Sequence, residues 1–314
     1  MRIVLAAIAV LLAGFVANAS AEESKITVGA IDAVLTTPAG VEKPPVALLI
    51  AGSGSTDRDG NGPQLKPATL KKLSDQLVAR NIATLRYDKR GARGWKPEFG
   101  KPEDFRFRDY VTDASALVNY LHDSGRFSKI ILVGHSEGGL VAILTAQQQQ
   151  KEQTIDRLVL LATASRTQGD LLKAQLEKKL SAEAYAPVAK AIDDIMAGQI
   201  VDPLPPGLSI PPAMQPSIAS AFTEDPVTPL QKLTLPILVV AGGRDLQLPR
   251  VDMLALSSAA PQAKTAWEPD MNHVLVDVGD DDADNLATYS QPDRPLDAAM
   301  IEDVAAFILQ SEAR

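Results

Sequence analysis

Short apolar runs punctuate the chain at Val46–Ile50, Ile82–Leu85, Ile130–Val133, Leu158–Leu161 and Ile237–Val240. Runs of four or five residues with almost no polar alternation suit strands buried on both faces of a parallel sheet. Between them the spacing changes to a helical one near 67–80, 109–122 and 138–150. Strand and helix in alternation predict an α/β architecture, a mostly parallel central sheet flanked by helices.

The alternation stops after Ser165, and about 65 residues pass before the next apolar run, far more than a crossover connection needs. Residues 165–231 are therefore read as an inserted helical cap, with the core made of 22–164 and 232–314. Leu172, Leu176, Leu180, Ala184, Val188, Ile192 and Met196 recur every fourth residue. On one straight helix such a row would drift by ~40° per step. Ser181 as an N-cap, Pro187 soon after it and Gly198 beyond the row predict two helices instead. The Pro-rich stretch Pro203–Pro216 is read as the way back to the core.

The amino terminus carries Arg2, an apolar run from Ile3 to Val16 and the small-residue stretch Ala17–Ala21. This is the pattern of a signal peptide over residues 1–21, and it predicts export to the periplasm or beyond. The run of 14 residues falls short of the ~20 that span a bilayer, and no later stretch approaches it. The mature chain is thus expected to have no membrane segment. Cysteine is absent, which removes disulfides, thiol nucleophiles and thiolate metal sites. A net charge of −8 with both signs interspersed argues against nucleic acid as a partner.

Gly134-His135-Ser136-Glu137-Gly138 matches Gly-x-Ser-x-Gly and lies between the Ile130–Val133 run and a helical pattern. The glycines permit a sharp strand-to-helix turn that presents Ser136 above a helix N-terminus. A serine hydroxyl attacks only when a neighbouring base takes its proton, and the chain has three histidines. His135 cannot face the hydroxyl of its own neighbour and is read as packed beneath the turn, while His122 closes a helical pattern. His273, in the polar loop Pro269-Asp270-Met271-Asn272-His273, is left as the base. The orienting acid should follow a late strand and precede the base. Asp245 does so, 109 residues after Ser136 and 28 before His273. Asp270, its rival, is better placed to cap the loop. Donors for a developing oxyanion are expected from the backbone N–H of Glu137 and of Ser53 in Ala51-Gly52-Ser53-Gly54-Ser55, whose glycines Gly52 and Gly54 let backbone approach a substrate. Thr56–Asn61 is expected to brace that loop with local ion pairs.

Taken together, the elbow, the Ala51–Asn61 loop, Tyr87-Asp88-Lys89-Arg90-Gly91, Gly243-Arg244-Asp245 and Asn272-His273 resemble the α/β-hydrolase superfamily, and within it bacterial esterases grouped with dienelactone hydrolases and serine aminopeptidases. The resemblance spans about residues 30–312. It implies an α/β-hydrolase fold, with nucleophile Ser136, acid Asp245, base His273, an oxyanion loop at Gly52-Ser53-Gly54 and a cap at the insertion. Many relatives carry His before the loop glycine, where this chain has Ala51.

The leading expectation is hydrolysis of small to medium carboxylic esters through an acyl-enzyme, without cofactor or metal. An aminopeptidase on the same machinery is the alternative, and it would need a cap carboxylate such as Glu183, Asp193, Asp194 or Glu224 to hold the substrate's amino group. A binding protein without chemistry is disfavoured because all three reactive residue types are present. Met214 and Phe222 are expected to contact substrate, among aliphatic cap residues that mostly pack against one another. Asp277, Asp280, Asp281, Asp282 and Asp284 match no calcium loop and are read as a solvated acidic turn. Asp88-Lys89-Arg90 is read as a surface turn with local charge pairing.

Overall fold

The structure, a computed structural model, describes residues 21–311, so the predicted signal peptide lies, but for Ala21, outside the described residues. Eight strands form one sheet: β1 (Glu22–Val28), β2 (Ile31–Thr37), β3 (Val46–Ile50), β4 (Ala83–Tyr87), β5 (Ile130–His135), β6 (Arg157–Leu161), β7 (Ile237–Gly242) and β8 (Lys264–Glu268). Their order is β1-β2-β4-β3-β5-β6-β7-β8. All five apolar runs are interior strands. From β4 to β8 every neighbouring pair is parallel, whereas β2 runs antiparallel to both β4 and β1.

The β1–β2 hairpin is absent from the sequence reading. Its two-residue turn is Gly29-Ala30, with Gly29 at a φ of 58°, the left-handed conformation that tight hairpin turns need. β1 reads Glu-Glu-Ser-Lys-Ile-Thr-Val and stays largely exposed, a charged edge strand of the kind that discourages further pairing. Such a strand buries too little to leave an apolar signature.

Alternate side chains of each interior strand enter opposite layers, as a period of two requires. Leu48, Leu132, Leu158, Leu160 and Val239 pack against α2 (Arg108–Asp123), α3 (Glu137–Gln148) and α8 (Arg250–Ala259). Leu49, Ile131, Val133, Val159 and Val240 pack against α1 (Thr69–Val78) and α10 (Ala298–Leu309). Each such side chain contributes ~1.5–3 kcal/mol by leaving water, so the doubly covered sheet is the rigid part of the molecule.

Between β6 and β7 the chain forms α4 (Gln168–Glu177), α5 (Ala182–Met196), α6 (Gln215–Phe222) and α7 (Val227–Leu230), and a short α9 (Asp282–Ala287) precedes α10. The hydroxyl of Ser181 accepts the N–H of Ala184 at 3.3 Å and starts α5, so the apolar row is split where its drift demands. Val188, Ile192, Ile195 and Phe222 are buried with Leu172, Leu176, Leu180 and Met196 packed around them, a small core internal to the insertion. The sequence reading has no helix at α6, because Pro216 looks like a breaker; in the first turn a proline lacks only an N–H that would go unused. Leu230 of α7 already belongs to the layer of α2, α3 and α8.

Candidate active site

Ser136 sits between β5 and α3 at φ 55° and ψ −121°, a conformation that side-chain-bearing residues seldom adopt. Its neighbours hold it there. The Ser136 N–H donates to the carbonyl of Leu161 on β6 at 2.9 Å, and its own carbonyl accepts the N–H of Gly139 at 2.9 Å. Gly138 is obligatory for space: a Cβ there would overlap the Ile50 carbonyl at the end of β3, and one on Gly134 would overlap the carbonyl of Gly138. The strand end, turn and helix start therefore pack backbone to backbone, and the Ser136 side chain is left at the sheet's carboxyl edge.

The structure brings Ser136, His273 and Asp245 into one line. With neutral imidazole, Ser136 Oγ–H donates to His273 Nε2 at 3.1 Å and His273 Nδ1–H donates to Asp245 Oδ2 at 2.8 Å. Asp245 follows β7, and its second oxygen accepts the N–H groups of Gln247 at 2.7 Å and Leu248 at 2.9 Å, which fixes the carboxylate. The loop carrying His273 is tied by the fully buried Asn272. Its carbonyl oxygen accepts the N–H groups of Val274 and Val276, and its amide donates to Asn285 Oδ1 at 3.0 Å and Thr288 Oγ at 2.7 Å. Asn285 in turn donates to the carbonyl of Arg244 at 2.7 Å, joining the loops that bear Asp245 and His273.

The other histidines lie where the sequence reading puts them. His135 is buried beneath the turn and its Nε2–H donates to the His273 carbonyl at 2.8 Å. Burial and the adjacent His273 ring bring its pKa down to about 4, so it stays neutral and serves as a strut. His122 is exposed in the last turn of α2. Asp270 is exposed too, and only its carbonyl, accepting the Val278 N–H, helps shape the loop.

A cavity of about 210 Å³ opens on the Ser136–His273 pair. The core lends it Leu140, Thr163 and Leu248, while Gln168, Leu171, Leu172, Phe222 and Pro226 roof it from the insertion. A second cavity of about 220 Å³ lies on the other side, between Gly52, Thr56, Leu65, Val274 and Tyr289, and shares Ser53, Ser136, Gln247 and His273 with the first. Ser53 and Glu137 thus lie beside the serine at the cavity wall, and Glu137 begins α3, so its N–H has no partner within the helix.

Several expectations need correction. Gly54 and Met214 line neither cavity, although Gly52 and Phe222 do. Gly54, at φ 77°, is an exposed turn whose carbonyl accepts the Thr56 N–H. Met214 precedes α6, on the order of 12 Å along the chain from Phe222 at helical rise. Asp88-Lys89-Arg90 is no surface turn. The Lys89 side chain is 0% exposed and its Nζ lies 2.5 Å from Glu137 Oε1, while Arg90 grips the buried Asp113 through two hydrogen bonds of 2.7 and 2.8 Å. The Thr56–Asn61 segment pairs mostly outward, Arg58 with Asp88 and Asp59 with Arg86 of β4. Sequence reasoning also missed Gln168, whose amide reaches Glu137 Oε2 at 2.7 Å, and Gln247, whose amide donates to Tyr289 Oη at 3.0 Å between the cavities.

The acidic residues near 280 have structural employment. Asp280 pairs with Arg244, Asp284 pairs with Arg294, and Asp281 caps α9. A hydrogen bond with Asp297, together with burial, pushes the Asp277 carboxyl up to about 7. No group of three or more potential metal ligands occurs among the described residues, and none of their helices is long and apolar enough to cross a membrane.

Solved structures share this arrangement of sheet and helices. Est1E from Butyrivibrio proteoclasticus superposes with a TM-score of 0.56 over 92% of this chain and 99% of its own, at 20% identity. The fold is that of an α/β-hydrolase. Brefeldin A esterase, described as a bacterial homologue of human hormone-sensitive lipase, gives a TM-score of 0.56 over 96% of this chain and 80% of its own, at 18% identity. In sequence, the family described as serine aminopeptidase, S33, matches residues 68–201. Esterase EstD of Thermotoga maritima is 27% identical over 270 residues, which are 84% of this chain and 63% of EstD. This chain therefore spans less than two thirds of that relative's length.

Proposed function

We propose that this α/β-hydrolase is a serine hydrolase that cleaves small to medium carboxylic esters through an acyl-enzyme. The observation that carries the reading is the unbroken relay from Asp245 through His273 to the Ser136 hydroxyl, opening directly on a cavity. In that reading His273 takes the serine proton as Oγ attacks the ester carbonyl, and Asp245 steadies the imidazolium that forms. The carbonyl oxygen, now negative, is received by the N–H groups of Glu137 and Ser53. His273 then returns the proton to the departing alcohol, and water attacking the acyl-enzyme repeats the cycle.

Cavities on both sides of Ser136 suit a substrate with a group of some size on each side of its scissile bond. Leucine, phenylalanine and proline side chains around the roofed space suit an aliphatic or aromatic group, and the insertion acts as a cap that selects it. The ester reading is preferred over the aminopeptidase because the carboxylates that would hold an amino group are engaged elsewhere. Asp193 pairs with Lys173, Asp194 with Lys190 and Glu224 with Arg108, and Glu183 is exposed. Among the cavity-lining residues the carboxylate is Glu137, already held by Lys89 and Gln168. The leader-like residues 1–21 support a periplasmic or secreted enzyme. A fluorophosphonate probe should label Ser136, and p-nitrophenyl esters should be cleaved in preference to aminoacyl anilides; hydrolysis of the anilides alone would favour the peptidase.

A further inference from the structure

Lys89 is one of the largest fully buried side chains among the described residues, and the chemistry just described does not use it. Its ammonium meets three partners. It donates to the carbonyl of Gly52 at 2.8 Å, it is 2.5 Å from Glu137 Oε1, and it lies 4.1 Å from the centre of the Tyr110 ring. Burial alone would favour the neutral amine, but the Glu137 carboxylate and Tyr110 together more than offset it, and the ammonium is held charged.

The two hydrogen-bonded partners are the ones that bear the oxyanion donors. The carbonyl of Gly52 and the N–H of Ser53 belong to one planar trans peptide, so a carbonyl anchored on Lys89 turns the N–H to the opposite side. Ser53 lines both cavities beside Ser136, and an N–H turned toward them would meet a bound substrate. A charged donor on the carbonyl also polarises the amide, strengthening its N–H as a donor by ~10–30%. Glu137 supplies the other N–H, and its carboxylate stands one residue from the nucleophile, where an unpaired negative charge would oppose the oxyanion. Lys89 neutralises it, and Gln168 at the start of α4 takes the second oxygen.

We infer that Lys89 is the positioning residue of the oxyanion site, a single buried ammonium that orients the Ser53 N–H through the Gly52 carbonyl and cancels the charge of Glu137. This role rests on Ser136 being the nucleophile, which wild-type ester turnover and its loss in Ser136→Ala establish beforehand. The decisive variant is Lys89→Met combined with Glu137→Gln, which leaves no buried charge unpaired. Losing one oxyanion donor costs ~10²–10³ in kcat. The double variant should lose about 10²-fold in kcat, with KM within about threefold, and its affinity for an alkylboronic acid, a tetrahedral mimic, should fall in step with kcat/KM. Glu137→Gln alone, which keeps Lys89 on Gly52, should lose roughly tenfold or less. A double variant within threefold of wild type in kcat and boronate affinity overturns the assignment while leaving Ser136 in place. The wild type supplies a test that needs no folded variant: on boronate binding the amide proton of Ser53 should move downfield together with that of Glu137, and an unmoved Ser53 amide overturns the role.

Discussion

Ser136 keeps its unusual backbone angles because hydrogen bonds from β6 and α3 and the bare backbones of Gly134 and Gly138 leave no other path. The fold thus holds the serine in place by main-chain contacts, and the hydroxyl contributes nothing to them. Ser136→Ala is accordingly expected to leave the thermal midpoint within a few degrees of wild type while kcat for a p-nitrophenyl ester falls by ~10⁶. Retention of a tenth of the activity in a clean preparation would remove Ser136 from the reaction. Residues at this scale were legible when a local string announced them. Gly-x-Ser-x-Gly carries its own geometry, and three histidines are few enough to sort by context. Lys89 was not legible, since a charge beside two other charges looks solvated until its partner, 48 residues further on, is known. Met214 failed for the opposite reason: an apolar residue in an insertion says that it is covered, without saying by what.

Among the elements, the insertion shows how one apolar row divides its labour. Leu176, Leu180, Val188, Ile192 and Met196 build the cap's internal core, whereas Leu172 and Phe222 also reach the cavity. Leu172 is only half-buried, so truncating it should enlarge the acyl space at little cost to folding. Leu172→Ala is expected to shift the preferred p-nitrophenyl ester toward longer chains, with ~1–3 kcal/mol of discrimination per methylene. Met214→Ala should leave the chain-length profile untouched. An unchanged profile in Leu172→Ala would show that acyl chains bind elsewhere, and Tyr289 and Leu65 would then be the surfaces to vary. The helices α4 and α5 were readable from Ser181 and the drift of the row. Both α6 and the β1–β2 hairpin escaped, one because proline at a helix start mimics a break, the other because an edge strand is free to be polar.

The whole molecule carries −8 net charge, yet its acid sensitivity should come from a neutral group. His135 has a folded pKa of about 4 against an unfolded value of ~6.5, so between those values the unfolded chain binds the extra proton. Stability from this site is complete above the unfolded value and is lost as pH falls toward 4. From pH 7 to pH 5 this site's own loss is about 2 kcal/mol, and because the raised Asp277 carboxyl works in the opposite direction over that window it is to be read from urea unfolding of Asp277→Asn, with the folded protein's His135 imidazole still neutral by ¹⁵N shifts at pH 5. A charged His135 at that pH in the folded state would contradict it. The strand order has its own bearing on how the molecule fails. Ser136 follows β5, with strands on either side, whereas His273 follows β8, the last strand of the sheet, and is held by a loop. Regions with few covering contacts open first, long before a doubly covered centre does. On warming, exchange of amide protons should therefore begin in the half-exposed β8 while β5 remains protected, and turnover should vanish at a temperature where circular dichroism still reports a folded sheet. An inactivated sample of this kind should regain activity on cooling, because in the proposed reaction what it lost was the alignment of His273 at the sheet's fraying edge and not the fold that presents Ser136.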